Sequence, residues 1–185
     1  MCSIIGPIYY KNNEGIEEKW YKNGEYHRED GPAIIVRNNE GIIKSESWYK
    51  DGKYDREDGP SIIYRNNNGI INTEYWYKNG IAHREDGPAI IYRNIQGIII
   101  SETWYKYGEL NREDGPAIIE RNNEGKIIKK EWYIKDEKYT YDKFVNYISS
   151  LRSELVSIME KKCNNSLYKD IYTYISTYIY HINEF

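Results

Sequence analysis

A tryptophan returns every 28 residues: Trp20, Trp48, Trp76, Trp104 and Trp132 are all the tryptophans of the 185-residue chain. Pro32, Pro60, Pro88 and Pro116 keep the same spacing, each directly after a glycine. A strict period of this length means stacked supersecondary units, each too small to bury its own apolar face and each packed on its neighbours; it excludes a globule built on one irregular core. The clearest unit reads EYWYKNGIAHREDGPAIIYRN, from Glu74 to Asn94. Full units start at 20, 48, 76 and 104 and a truncated one at 132. A partial copy over residues 6–19 lacks the His-Arg-Glu-Asp segment and reads as an N-terminal cap.

Local signals within a unit agree on strand. Ala33 to Arg37, Ser61 to Arg65, Ala89 to Arg93 and Ala117 to Arg121 are short β-branched runs that start after Gly-Pro and end in Asn-rich loops closing on Gly41, Gly69, Gly97 and Gly125. Such runs are strands turned back by a hairpin. The chain then returns through Ile42 to Tyr49 and its equivalents to a two-residue turn, strongest at Asn23-Gly24 and Asn79-Gly80 and weaker at Asp51-Gly52 and Tyr107-Gly108. Alternation places Ile70, Asn72, Glu74 and Trp76 on one side of a return strand and Ile71, Thr73, Tyr75 and Tyr77 on the other. Neither side is wholly apolar. The expected fold is therefore mainly β, an elongated single-layer antiparallel sheet of repeated β-hairpins held by ladders of Trp, Tyr and Ile. Nine or ten strands about 4.8 Å apart make a layer about 45 Å long.

The grammar changes after Trp132 and Tyr133. All 14 glycines lie between Gly6 and Gly125 and no proline follows Pro116, which divides the chain into a hairpin array over 1–135 and a C-terminal segment over 136–185. There Phe144, Ile148, Leu151, Leu155 and Ile158 form one stripe of an amphipathic helix, with Thr140 as N-cap. Leu167, Ile171, Tyr174, Tyr178 and Ile182 repeat the stripe after an Asn-rich loop, although their Tyr, Ile and Thr surroundings suit a strand as well. The expectation is an α-helical hairpin that covers the last sheet edge, with self-association through these helices as the alternative.

Four identical Arg-Glu-Asp-Gly-Pro stretches begin at Arg28, Arg56, Arg84 and Arg112 and carry Asp30, Asp58, Asp86 and Asp114. Catalysis needs one asymmetric constellation, so an element repeated in four successive units reads as structural: a turn whose Arg bridges to a carboxylate of its own or the adjacent repeat, forming a ladder beside the tryptophans. A ladder of Asp oxygens for calcium or another hard cation is the alternative. His27 and His83 precede two of these turns, but Asp55 and Asn111 hold the same place in the others. A turn-capping polar group tolerates that exchange; a general base or metal ligand does not. His181 has no evident partner, and Cys2 and Cys163 show neither zinc-ligand spacing nor a disulfide framework. With no nucleophile elbow or phosphate loop, the chain is expected to be no enzyme and to hold no metal or cofactor. A net charge of −3 and a pI near 5.7 give no nucleic-acid footprint. The lack of a signal-peptide pattern or an 18-residue apolar run points to a soluble cytoplasmic protein without a transmembrane segment.

At WYKNG (Trp20 to Gly24, Trp76 to Gly80) followed by HREDGPA (His27 to Ala33, His83 to Ala89), the chain resembles a MORN-like repeat, in the variant found in large DNA viruses of amoebae and in some bacteriophages. The resemblance spans about residues 6–135. The aromatic-x-x-Gly core matches at Tyr21 to Gly24 and Tyr77 to Gly80. The general family has a Gly-x-Gly step where this chain has Arg-Glu-Asp-Gly-Pro, and a shorter unit. What the resemblance implies is an elongated hairpin array that serves as a scaffold, a dimerisation surface or a membrane-lipid contact, without catalytic residues and of viral origin. The abundance of Ile, Asn, Lys and Tyr, encoded by AT-rich codons, agrees with such a source.

The functional expectation is a non-enzymatic scaffold for a protein partner. Binding rests on positions that vary between units: Tyr26, Tyr54, Ala82 and Leu110 after the glycine turn, and Val36, Tyr64, Tyr92 and Glu120 on the strand. Of these, Tyr26, Tyr54, Tyr64, Tyr92 and Leu110 are the candidate contacts, because tyrosine supplies large contact area at low entropic cost. Covering the sheet is their alternative role. Two other readings stay open: a binder of small anionic or nucleotide-like ligands where the sheet meets the helices, and a protein associated with a membrane surface.

Overall fold

The structure is a computed structural model that describes residues 4–162. The first unit supplies β1 (Ile4–Asn12), β2 (Gly15–Lys22) and the short β3 (Glu25–Tyr26). The second contains β4 (Ile34–Asn38), β5 (Ile43–Ser47), β6 (Tyr49–Lys50) and β7 (Lys53–Tyr54), and the third β8 (Ile62–Arg65), β9 (Ile71–Tyr75), β10 (Tyr77–Lys78) and β11 (Ile81–Ala82). Then come β12 (Ile90–Arg93), β13 (Ile99–Thr103), β14 (Tyr105–Lys106) and β15 (Glu109–Leu110). The chain finishes with β16 (Ile118–Arg121), β17 (Ile127–Ile134), β18 (Glu137–Tyr139) and the helix α1 (Tyr141–Lys162). The long strands form one open antiparallel sheet in the order β1-β2-β4-β5-β8-β9-β12-β13-β16-β17-β18, with β3 paired to β2. The expected mainly-β array of consecutive hairpins is what the chain adopts, with one C-terminal helix.

The three interior return strands break at Trp48, Trp76 and Trp104, whereas β2 and β17 run on through Trp20 and Trp132. From Trp20 to Trp104 the tryptophan backbone serves two partners outside the long ladder. Trp48 N–H donates to the Ser61 carbonyl and its own carbonyl accepts from Asp55 N–H; Trp20, Trp76 and Trp104 do the same with Ala33, Ala89 and Ala117 and with the residues seven positions on. Beyond the break the chain folds into the small hairpins β6-β7, β10-β11 and β14-β15. Their turns have positive φ at both central residues, as at Asn79 (52°) and Gly80 (79°), the combination that a two-residue hairpin with native twist requires. The small hairpins form a second row beside the sheet: Gly52, Gly80 and Gly108 N–H groups donate to the carbonyls of Tyr26, Tyr54 and Ala82 in the preceding units.

Between rows, the side chain before three of the four Arg-Glu-Asp stretches caps the next turn. His27 Nδ1 accepts from Asp51 N–H at 3.0 Å, Asp55 Oδ2 from Asn79 N–H at 2.7 Å, and His83 Nδ1 from Tyr107 N–H at 3.1 Å. Histidine and aspartate serve alike, which is why the position tolerates that exchange; Asn111 Oδ1, at the same place in the fourth unit, is buried without a hydrogen-bond partner among the described residues. Tyr107 occupies a positive-φ site (53°) that is costly for an aromatic residue; this hydrogen bond and the stack of its ring on His83, centroids 4.5 Å apart, hold it there.

Register organises the two faces. Glu18, Ile35, Glu46, Ile63, Glu74, Ile91, Glu102, Ile119 and Lys130 stand opposite one another in a single row across the strands. The four isoleucines are buried. Each glutamate but not Lys130 meets an arginine two residues beyond the isoleucine that follows it: Arg37 with Glu18 at 2.8 Å, then Arg65 with Glu46, Arg93 with Glu74 and Arg121 with Glu102. These pairs are only partly exposed, so their attraction is offset by desolvation and they set strand register more than they add stability. Ser61 replaces the buried alanine found in the other units; its hydroxyl donates to the Tyr75 carbonyl and accepts from Tyr77 N–H.

Thr140 caps α1, its Oγ1 accepting from Lys143 N–H and its carbonyl from Phe144 N–H. Phe144 and Ile148 are buried against Ile134 and Tyr139, with Trp132 and Tyr147 packed around them. Leu155 and Ile158, further along the same stripe, are exposed. The helix thus covers the last small hairpin, while the outer side of Ile127–Glu131 pairs with no strand among the described residues. The second helix, Leu167 to Ile182, lies outside the described residues, as do Cys2, Cys163 and His181. No helix of the described residues is long and apolar enough to cross a membrane.

Removing an interior isoleucine leaves a void that a one-layer sheet cannot refill. Ile91→Ala should lower the free energy of unfolding by about 3 kcal/mol, whereas Ile95→Ala, at a side chain 66% exposed in an Asn-rich loop, should stay within about 0.5 kcal/mol; guanidinium denaturation of both variants measures the difference.

Candidate functional site

Two surfaces recur along the array. The first is the row of Arg-Glu-Asp-Gly-Pro turns. In every copy the arginine engages its own turn: Nε donates to the Asp at 2.7–2.9 Å (Arg28 to Asp30, Arg56 to Asp58, Arg84 to Asp86, Arg112 to Asp114), and the guanidinium reaches the following proline carbonyl. The same guanidinium lies over the ring of Trp20, Trp48, Trp76 or Trp104, its carbon 3.8–4.0 Å from the ring centroid. Glycine is needed in the turn for space: a Cβ on Gly59 would sit 2.7 Å from Arg56 Cζ. The arginine holds the carboxyls of Asp30, Asp58 and Asp86 below their ordinary range, by hydrogen bond first and charge second. These aspartates are largely exposed, so the ion pair itself contributes little, and the stack on tryptophan is the stronger hold on the side chain. Every oxygen-bearing turn is thus occupied by its own arginine, and no group of three metal-ligating side chains forms among the described residues. Trp132 differs from the other tryptophans, packing on Tyr141 and Phe144 in place of an arginine.

The second surface is tyrosine. From Tyr21 the rings pass to Tyr26 (4.9 Å between centroids), Tyr49 (5.2 Å), Tyr54 (4.2 Å) and Tyr77 (5.6 Å) along the small hairpins. The path then turns onto the long strands, from Tyr77 to Tyr75 (6.3 Å), which is met edge-on by Tyr64 (6.3 Å) and Tyr92 (6.0 Å). Tyr75 and Tyr92 share a hydrogen bond between hydroxyls at 2.9 Å. Of the candidate contacts, Tyr64 and Tyr92 stand exposed in the sheet, while Tyr26 and Tyr54 are half-buried within the stacked row. Leu110 lies apart from the ring path; its N–H donates to Asp136 Oδ1 and its carbonyl accepts from Asp136 N–H. Ala82 and Leu110 interrupt the row in the third and fourth units.

Reasoning from variable positions alone missed the connecting residues Tyr21, Tyr49, Tyr77 and Tyr75. The first three follow a tryptophan in every unit, which was a visible signal for a row. Burial, followed by hydrogen bonding or charge from neighbouring tyrosines, raises the phenols of Tyr21, Tyr49, Tyr75 and Tyr77 above the ordinary value.

A cleft of about 740 Å³ opens where the third and fourth Arg-Glu-Asp-Gly-Pro turns face α1. Arg84, Lys106, Arg112 and Arg152 line it together with Glu85, Asp86, Glu113 and Asp114, and Trp104, Ile148, Leu151 and Leu155 form its apolar walls. Lys106 holds Glu85 at 3.2 Å and lowers its carboxyl, whereas Arg152 makes no ion pair among the described residues.

Fold and surfaces define an open β-hairpin repeat protein with a tyrosine face. No protein-family model, curated protein or solved structure matches the chain.

Phenols raised in the folded state stay protonated where those of the unfolded chain ionise. Between the ordinary tyrosine value of about 10 and the folded values, the unfolded state therefore binds fewer protons, and stability falls as pH rises. Thermal denaturation from about pH 8 to about pH 12 should show a midpoint that is level at first and then declines above about pH 10, with a shallower decline in Tyr75→Phe.

Proposed function

We propose that the protein is a non-enzymatic interaction scaffold of MORN-like hairpins that holds a protein partner on its tyrosine face. The observation that carries this reading is the exposure of Tyr64 and Tyr92 on either side of Tyr75, in a row across the sheet whose other members are half-buried. The row across this face reads Val36, Ser45, Tyr64, Thr73, Tyr92, Ser101, Glu120. Its centre is uncharged, aromatic and rich in hydroxyls. Tyrosine with serine and threonine combines broad apolar contact with adaptable hydrogen bonding, and a sheet fixed by its ladders loses little freedom when a partner lands on it. A viral origin, which rests on the repeat resemblance, and a cytoplasmic setting belong to the same proposal. Affinity capture from the native cell with the full chain and with Tyr64→Ser/Tyr92→Ser tests it. The partner retained by the natural chain should fall about tenfold or more with the variant at unchanged far-ultraviolet dichroism; equal retention removes the tyrosine face from the reading.

The cleft beside α1 favours a second reading, binding of a small anionic ligand with Arg152 as its unpaired cation. Arg152→Ala should then abolish retention of the ligand in native mass spectrometry. Arg28→Ala, at a turn that does not line the cleft, should leave retention intact.

A further inference from the structure

The two ends of the array differ from its middle in the charge row. In the interior, every return strand receives on its outer side a strand of the form Ile-Ile-x-Arg. For β5 the register is Ser45 to Tyr64, Glu46 to Ile63 and Ser47 to Ile62, and Arg65 reaches diagonally to Glu46. The last return strand, β17, has that outer side open over Ile127–Glu131 among the described residues. Ile127 and Ile128 are exposed there, and α1 packs instead on Trp132, Ile134 and Tyr139. At the place of Glu18, Glu46, Glu74 and Glu102 stands Lys130, opposite Ile119 as Glu102 is opposite Ile91.

We infer that this open edge of β17 is a docking strand for an extended segment of another protein, one that presents two apolar residues and, after one intervening residue, an aspartate or glutamate. The segment would add to the sheet as β8 adds to β5. Its second apolar residue would face Lys130, and its carboxylate would fill the arginine position, restoring the diagonal ion pair with the charges exchanged. Backbone pairing supplies the affinity in such strand addition and side-chain pockets supply the choice of partner.

A second copy of this chain does not fit. The free strand at its other end is β1, which pairs with β2 in the same register as β4: Ile8 and Ile34 both face Lys19, Tyr9 and Ile35 both face Glu18, and Lys11 and Arg37 both face Ile16. Head-to-tail addition would set Lys11 beside Lys130, a like-charge pair, and Pro7 in β1 offers no N–H to a ladder. The edge thus accepts an acidic strand and rejects the chain's own. The inference is independent of the tyrosine face, because it rests on the edge of the sheet and not on either surface.

The test uses the full chain and two eight-residue peptides, one copying Gly87–Asn94 and one carrying Arg93→Glu. The acidic peptide should bind about tenfold tighter at low salt and shift the amide resonances of Ile127–Glu131, and Lys130→Glu in the chain should reverse the preference. Tyr64→Ser/Tyr92→Ser should leave both affinities unchanged. No binding of the acidic peptide at millimolar concentration, equal binding of the two, a preference that survives Lys130→Glu, or shifts confined to Ile8–Lys11 would each overturn the inference.

Discussion

A sheet one layer thick has no opposing layer against which to bury its side chains, so its cohesion has to come from neighbours within the layer. Here that need is met by rows running across the strands. On one face, buried isoleucines alternate with glutamates, each glutamate reached diagonally by an arginine from the next unit. On the other, tyrosine rings lean on one another from Tyr21 to Tyr92. A slip of one residue would exchange the two sets, placing glutamate among tyrosines and breaking every diagonal pair. The cross-strand rows are therefore what makes one register far better than its alternatives.

The tryptophan step solves a second consequence of the single layer. A continuous long hairpin would leave an extended flat sheet with side chains standing free at its margin. Breaking the strand at tryptophan lets the small hairpin form its own row, and the arginine of the following turn closes over the indole while its planar fork satisfies Asp and proline oxygens of the same turn. One side chain thereby ties the turn to the tryptophan, and the same device recurs at Arg28, Arg56, Arg84 and Arg112.

Period, strands, glycine turns, the single layer and the start of the helix were all legible in the sequence because each depends on residues close together in the chain. Asn79 and Gly80 announce their turn without reference to anything else. The Glu74–Arg93 pair was not legible, although both residues recur every 28 positions. They are diagonal neighbours only once β9 and β12 adopt a particular register, and periodicity alone does not give register. The Arg-Glu-Asp-Gly-Pro turn was read as an ion pair of its own or the adjacent repeat; it is the former, and its stack on tryptophan, eight residues earlier in the chain, depends on the strand break that alternation had not shown. For the candidate contacts, variability pointed equally to Tyr26 and Tyr64, yet one is wedged in a stack and the other stands clear, a difference set by the small hairpins folding away from the sheet.

Repetition also explains why the ends carry the sharpest information. Inside the array every unit meets a copy of itself, so a side chain in the row is constrained from both sides. At Trp132 the arginine partner is gone and aromatic rings of α1 take its place; at Lys130 the glutamate is gone and the outer side of its strand is unpaired over Ile127–Glu131 among the described residues. The first substitution closes an apolar site within the chain. The second leaves a strand edge whose charge is opposite to that of every internal edge, so a further unit of the same kind would set its arginine beside a lysine.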